Sequence, residues 1–293
     1  IPLDGVIRDL DLVHADADER PDLLLTNSRG RHRLWRNTGT GAFADETEIR
    51  LPEMAGLFSG STVADINGDR MTDAVIARRD GLNRVLINHS GTFADETATR
   101  LPTDTDPTCE TLVADLDGDT DSDLIALNHR EPDRLMLDQG GGIFTDTTVN
   151  LPQDVDTGIT GATLDVDGDG DLDLAAAGPH GLRLLVNDGN AMLNDESSSR
   201  FPVIQAFVVK VIPGDIDFDG DPDLYLACLG SDRILVNDGT GVFTDETAVL
   251  FAGIGDGRTF DAAFLDVDDD WDLDLFLARP DAQNELWVNA MDE

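Results

Sequence analysis

An acidic stretch that runs straight into apolar chain recurs through this sequence at a nearly constant step. "ADINGDRMTDAVIA" begins its loop at Asp65, "ADLDGDTDSDLIAL" at Asp115, "LDVDGDGDLDLAAA" at Asp165, "GDIDFDGDPDLYLA" at Asp215 and "LDVDDDWDLDLFLA" at Asp266, so the offsets are 50, 50, 50 and 51 residues. A weaker copy, "VHADADERPDLLLT", places His14 where the leading aspartate belongs, 51 residues before Asp65. A second motif keeps the same beat: "NTGTGAFADET" (37–47), "NHSGTFADET" (88–97), "DQGGGIFTDTT" (138–148), "NDGNAMLNDES" (187–197) and "NDGTGVFTDET" (237–247). Six units, about 1–50, 51–100, 101–150, 151–200, 201–250 and 251–293, fill the chain as one domain, 1–293. A repeat of this length constrains the fold more than any other feature, because each unit must bury its faces against its neighbours.

Within a unit the apolar runs last four or five residues and break at turn residues, so helical periodicity is absent. In the second unit, "STVAD" (61–65), "AVIA" (74–77), "RVLIN" (84–88) and "TFADETA" (92–98) read as four strands, with the acidic loop after the first. Four-stranded antiparallel sheets repeated at this period predict an all-β, six-bladed β-propeller. Unit six stops four residues after "LWVN" (286–289) and lacks a fourth strand of its own.

The acidic loops crowd like charges, which opposes folding unless something neutralises them. Numbered from the first aspartate, positions 1, 3, 5 and 9 carry oxygen ligands: Asp65, Asn67, Asp69, Asp73; Asp115, Asp117, Asp119, Asp123; Asp165, Asp167, Asp169, Asp173; Asp215, Asp217, Asp219, Asp223; and Asp266, Asp268, Asp270, Asp274. Hard oxygens at alternating positions about a glycine turn (Gly170 at position 6 of the fourth loop) suit Ca²⁺, with a position 7 carbonyl completing the shell. Magnesium keeps more of its waters and uses fewer carboxylates. The reading is five Ca²⁺ sites and a weak or empty sixth at Asp16, Asp18 and Asp22.

Composition narrows the partners. Sixty acidic residues against twenty basic ones leave a formal charge of −40, which repels nucleic acid and anionic lipid. No apolar run of about 18 residues spans a membrane. Two cysteines give no disulfide framework, and the start at Ile1 reads as a processed or trimmed end.

The D-x-D-x-D-G-x-x-D-L loop, the downstream N-D-G-x-G-x-F-x-D-x-T hairpin and the period together resemble the FG-GAP/VCBS repeats of integrin-α-like β-propellers. The integrin Phe-Gly and Gly-Ala-Pro signatures are missing, and Leu193 stands where other units have Phe, so the prokaryote-type repeat is nearer. The resemblance implies calcium loops between the first and second strands of each blade, with ligands met on the opposite face. It also implies an extracellular or cell-surface protein acting in adhesion, carbohydrate binding or assembly.

No G-x-S-x-G, H-E-x-x-H, P-loop or C-x-x-C motif occurs, and Tyr225, the only tyrosine, lies in the apolar "DLYLA". The leading expectation is therefore a binding, adhesion or assembly module. Its alternative is a calcium-dependent polysaccharide lyase, with His129 and His180 in equivalent turns. Those turns, between strands two and three, hold Arg29, Arg31, His32, Arg78, Arg79, His129, Arg130, His180 and Arg279, and basic residues are otherwise scarce. They either bind a glycan or protein ligand, an anionic glycan above all, or pair with Asp80, Glu131, Asp133 and Asp281. The arginines opening strand three (Arg33, Arg84, Arg134, Arg183, Arg233) recur at one repeat position and read as structural. An unpaired third strand in unit six invites a strand-donating partner at 285–289.

Overall fold

The computed structural model describes residues 6–16, 18, 20–103, 105–152, 158–178, 181–250, 258–270 and 272–289. Five antiparallel sheets have four strands each and a sixth has three, every sheet following chain order. The architecture is a six-bladed all-β propeller. Its packing divides into two compact units, Ile1–Val155 and Asp156–Glu293, each holding three blades.

Blade two shows the local logic. Its strands are Phe58–Ala64, Asp73–Arg78, Arg84–Asn88 and Phe93–Asp95. The second strand, "DAVIAR", is apolar from Ala74 to Ala77 because both of its faces are covered there. Ala74 and Ile76 pack with Val13, Leu24 and Leu34 of blade one, whereas Val75 packs with Leu124, Ala126 and Met136 of blade three. In the other unit Ala175 and Ala177 meet Leu224 and Leu226, and Tyr225 and Ala227 meet Leu275 and Leu277. The core therefore lies between blades. Each buried Leu or Ile stabilises by about 1.5–3 kcal/mol.

The fourth strand is shorter than the sequence suggests. It ends at Asp95, and Thr97 and Ala98 of the expected "TFADETA" strand belong instead to a single helical turn, Thr97–Arg100. Local hydrogen bonds explain the change: Thr97 N–H donates to Asp95 Oδ1, while Thr97 Oγ1 accepts Val85 N–H of strand three at 3.0 Å. Side chains so placed compete successfully with the ladder. Thr47, Thr148, Ser197 and Thr247 repeat the arrangement. The expected arginine series meets the same strand, as Arg33–Asp45, Arg84–Asp95, Arg134–Asp146, Arg183–Asp195 and Arg233–Asp245.

Candidate functional site

The acidic loops stand where strand one turns into strand two. Positions 4 and 6 bend the backbone into the left-handed region, at Gly168 (φ 73) and Gly170 (φ 94) in the fourth loop. The loop spacing alone marks only position 6 as the turn. Other loops hold Thr120, Phe218 and Asp269 in that region at a strain cost that glycine avoids. The curl wraps position 1: Gly170 N–H donates to Asp165 Oδ2 at 3.0 Å, and Thr120 N–H to Asp115 Oδ2 at 2.9 Å.

Carboxylates at positions 1, 3 and 9 converge in four loops: Asp115, Asp117 and Asp123; Asp165, Asp167 and Asp173; Asp215, Asp217 and Asp223; and Asp266, Asp268 and Asp274, each set with oxygens within 4.8 Å of one another. Such a set is suited to a hard cation. Asp167 Oδ1 and Asp215 Oδ1 are buried without a hydrogen-bond partner, a costly state that a cation would relieve. The position 5 aspartates lie outside these groups. Asp119, Asp169, Asp219 and Asp270 instead accept the amide two residues on, as Asp69 does in loop two.

Loop two differs chemically. Asn67 puts an amide at position 3 and donates to Asp69 Oδ2 at 3.0 Å, so Asp65, Asp69 and Asp73 form no three-carboxylate group.

Loop one gathers three arginines about its carboxylates, whereas loop four meets one among the described residues, Arg200 at 3.1 Å from Asp167. Arg20 pairs with Asp18, Arg36 approaches Asp18 at 3.8 Å, and Arg50 approaches Asp16 at 3.5 Å. Guanidinium groups thus meet the charge of this loop.

Position 9 has a second role that the spacing does not reveal. Asp223 is fully buried; its Oδ2 accepts Ile216 N–H at 2.8 Å and its Oδ1 accepts Asn237 N–H at 2.8 Å. Asp22, Asp73, Asp123, Asp173 and Asp274 make the same pair of bonds. Each ties the loop to the end of strand three. Burial pushes Asp73, Asp123, Asp173 and Asp223 up to about 6, against the pull of these amides and with help from neighbouring carboxylates.

The basic turns at the other end of the blades separate on inspection. His32 is 2 % exposed; its Nδ1 accepts Asn27 N–H at 3.2 Å and its ring meets Phe58 edge-on. The same turn position in other blades carries Asn83, Asp133, Asp232 and Asn284, each accepting the amide that closes strand two. His32 is therefore a buried turn cap, which corrects its assignment to a ligand surface. Burial lowers it to about 4. Arg279 is corrected likewise: its side chain is 5 % exposed and bonds Glu285 at 2.7 Å. Arg78 pairs with Asp80, as the salt-bridge alternative expects, and Arg31 pairs with Glu48, an acid outside that expectation. His180 lies outside the described residues. Arg29, Arg79 and Arg130 are exposed and His129 is half-buried. Tyr225 is buried, as expected, and donates to Asp232 Oδ2 at 2.6 Å.

An FG-GAP-like repeat model matches residues 15–76, 65–126, 115–175, 165–226 and 215–277. No curated protein sequence matches significantly. Among solved structures, a lectin of Agrocybe aegerita described as recognising non-reducing terminal N-acetylglucosamine superposes with a TM-score of 0.56 at 21% identity, over 80% of this chain and 64% of the lectin chain. The chain thus spans less than two thirds of that lectin. BBS1N, solved in complex with ARL6DN, gives a TM-score of 0.66 at 12% identity over 97% of this chain and 80% of its own. The extracellular domain of a hybrid two-component system from B. thetaiotaomicron gives 0.55 at 14% identity, over 99% of this chain and 36% of that one. At these identities the likeness is one of fold. No helix among the described residues is long and apolar enough to cross a membrane.

Proposed function

The chain belongs to the FG-GAP-like repeat family, and on that premise we propose that it is a calcium-loaded propeller serving outside the cytoplasm as a ligand-binding, adhesion or assembly module. The observation that carries this reading is the convergence of three carboxylates in each of four loops, with buried oxygens at Asp167 and Asp215 left unmatched. In loops three to six the residues at positions 1, 3 and 9 would hold the ion, which supplies positive charge where like charges crowd. Surface loops of this kind suit the millimolar calcium outside cells, with dissociation constants of about 10⁻⁴–10⁻³ M. What the structural relatives carry, a sugar terminus in one and a partner protein in another, accords with a binding role and does not choose between them.

Thermal unfolding at low salt with millimolar CaCl₂, against the same protein in EDTA, tests the reading. A ligand that binds only the folded form raises the transition, here by about 5 °C or more. Equal transitions in the two buffers would overturn it.

A further inference from the structure

With acids outnumbering bases three to one, an arginine on this molecule has partners to choose from, and most are taken. Arg8, Arg29, Arg79 and Arg130 enter no ion pair among the described residues. Arg70 is also unpaired but lies amid Asp65 and Asp69, at the acidic-loop end. The other four share one end of blades one to three, where strand two turns into strand three and strand one begins. The first strands of these three blades pack side by side, so the four arginines belong to one continuous edge of one unit.

The backbone there is built to present them. Arg8 is the extra residue of a bulge between Ile7 and Asp9, the same repeat position as Cys109 in blade three. A bulge re-aims its side chain out of the ladder. Arg79 and His129 occupy one repeat position in adjacent blades, and their amides are pinned to Leu57 O at 2.8 Å and Pro107 O at 2.9 Å. Arg130 follows in a left-handed conformation, φ 62. Its neighbours crowd: His129 is held below its usual range by burial and then by the charges of Arg130 and Arg79. Of the acids close by, Asp133 Oδ1 is occupied by Asn128 N–H at 2.8 Å, and Glu131 forms no ion pair with these arginines among the described residues. Blade five carries Leu229 and Gly230 at the equivalent place, so the repeat itself does not require cations there.

The geometry points to an anion-binding edge, formed by Arg8, Arg29, Arg79, His129 and Arg130, that takes an acidic polysaccharide. The inference rests on the binding-module reading and gives it a site and a ligand class. Nucleic acid fits poorly, since a duplex carries one charge per about 1.7 Å and meets a protein of formal charge −40. The turns also offer no Trp, Tyr or Phe on which bases would stack. A polysaccharide with roughly one carboxylate or sulfate per sugar satisfies separated arginines at less repulsion.

Titration with dextran sulfate and with hyaluronate tests the inference, using the calcium-replete protein at low salt and again at about 0.5 M NaCl, where screening shortens the reach of exposed charges. At least one polymer is expected to bind and to weaken with salt. The Arg79→Ala/Arg130→Ala double variant should lose tenfold or more in affinity with an unchanged melting temperature. Arg258→Ala, which removes an exposed arginine of the other unit, should stay within twofold. The inference is overturned if the wild type binds neither polymer while still responding to calcium, if Arg258→Ala weakens binding equally, or if duplex DNA binds as tightly. Failure of the calcium reading shows separately, in the melting comparison with EDTA.

Discussion

The aspartate at position 9 is the residue on which folding and the metal site meet. In loop five, Asp223 accepts two backbone amides from inside the core, whereas Asp217 at position 3 accepts the Asp219 amide at 3.4 Å and no core amide among the described residues. Their substitutions should therefore part company. Asp223→Ala strands two buried N–H groups and is expected to lower stability by about 2–4 kcal/mol even in EDTA. Asp217→Asn should leave the EDTA-treated protein within about 0.5 kcal/mol of wild type and shrink the gain from calcium. Urea titrations in both buffers decide this, and an equal loss from the two variants in EDTA would refute separate roles. His32 supplies a second residue-scale prediction. Its folded value of about 4 lies below the ordinary 6.5, so the unfolded chain takes up its proton first. Stability from this residue is complete above about pH 6.5 and is lost as pH falls toward 4, by up to about 3 kcal/mol. The His32 ring resonances should stay neutral at pH 5.5 by NMR; titration near 6.5 would contradict its burial.

Among the elements, the single helical turn after strand four fastens one blade to the next. Arg50 pairs with Glu46 and donates to Gly91 O of blade two at 2.6 Å; Arg100 pairs with Glu96 and donates to Gly142 O of blade three at 3.1 Å. Arg200 donates to Thr240 O of blade five at 2.5 Å and also reaches Asp167 of its own acidic loop at 3.1 Å. Glycine is needed beneath the guanidinium: a Cβ on Gly91 or Gly241, both at positive φ, would collide with it. Blade six presents a different element-scale problem. Among the described residues its third strand, Glu285–Trp287, has Asp274–Ala278 as its ladder partner, and Leu286 is 46% exposed where its counterpart Val85 is fully buried. In other blades this edge receives strand four, as in Asn237↔Phe243 and Leu235↔Asp245. A peptide of residues 242–247 added in trans is expected to slow amide exchange across 285–289, and no change in those amides would count against strand donation there.

Over the molecule as a whole, charge decides the conditions under which the fold is comfortable. Four divalent ions would carry eight positive charges and bring the formal charge from −40 to −32, all of it placed inside the acidic loops. Without calcium, salt must screen the same repulsion, and at 1 M the Debye length is about 3 Å. The urea midpoint in EDTA should therefore rise between 0.05 M and 1 M NaCl, and rise less steeply in calcium. A midpoint in EDTA that falls or stays level would show that loop repulsion is not what limits stability.

How much of this was legible in the sequence follows from the range of the interactions concerned. The repeat, the apolar second strands and the D-x-D-x-D loops are local patterns that the chain carries whatever surrounds it. They determined the number of blades, the strand order and the end of each blade where carboxylates gather. The tertiary structure decided matters that depend on a neighbour in space. It sent His32 and Arg279 into the interior, paired Arg31 and Arg78, and left Arg29, Arg79 and Arg130 without an ion pair among the described residues. It also placed Arg20, Arg36 and Arg50 at the first acidic loop. Sequence spacing cannot register such choices, because an arginine side chain reaches several residues in any direction and its partner is set by which blade lies beside it.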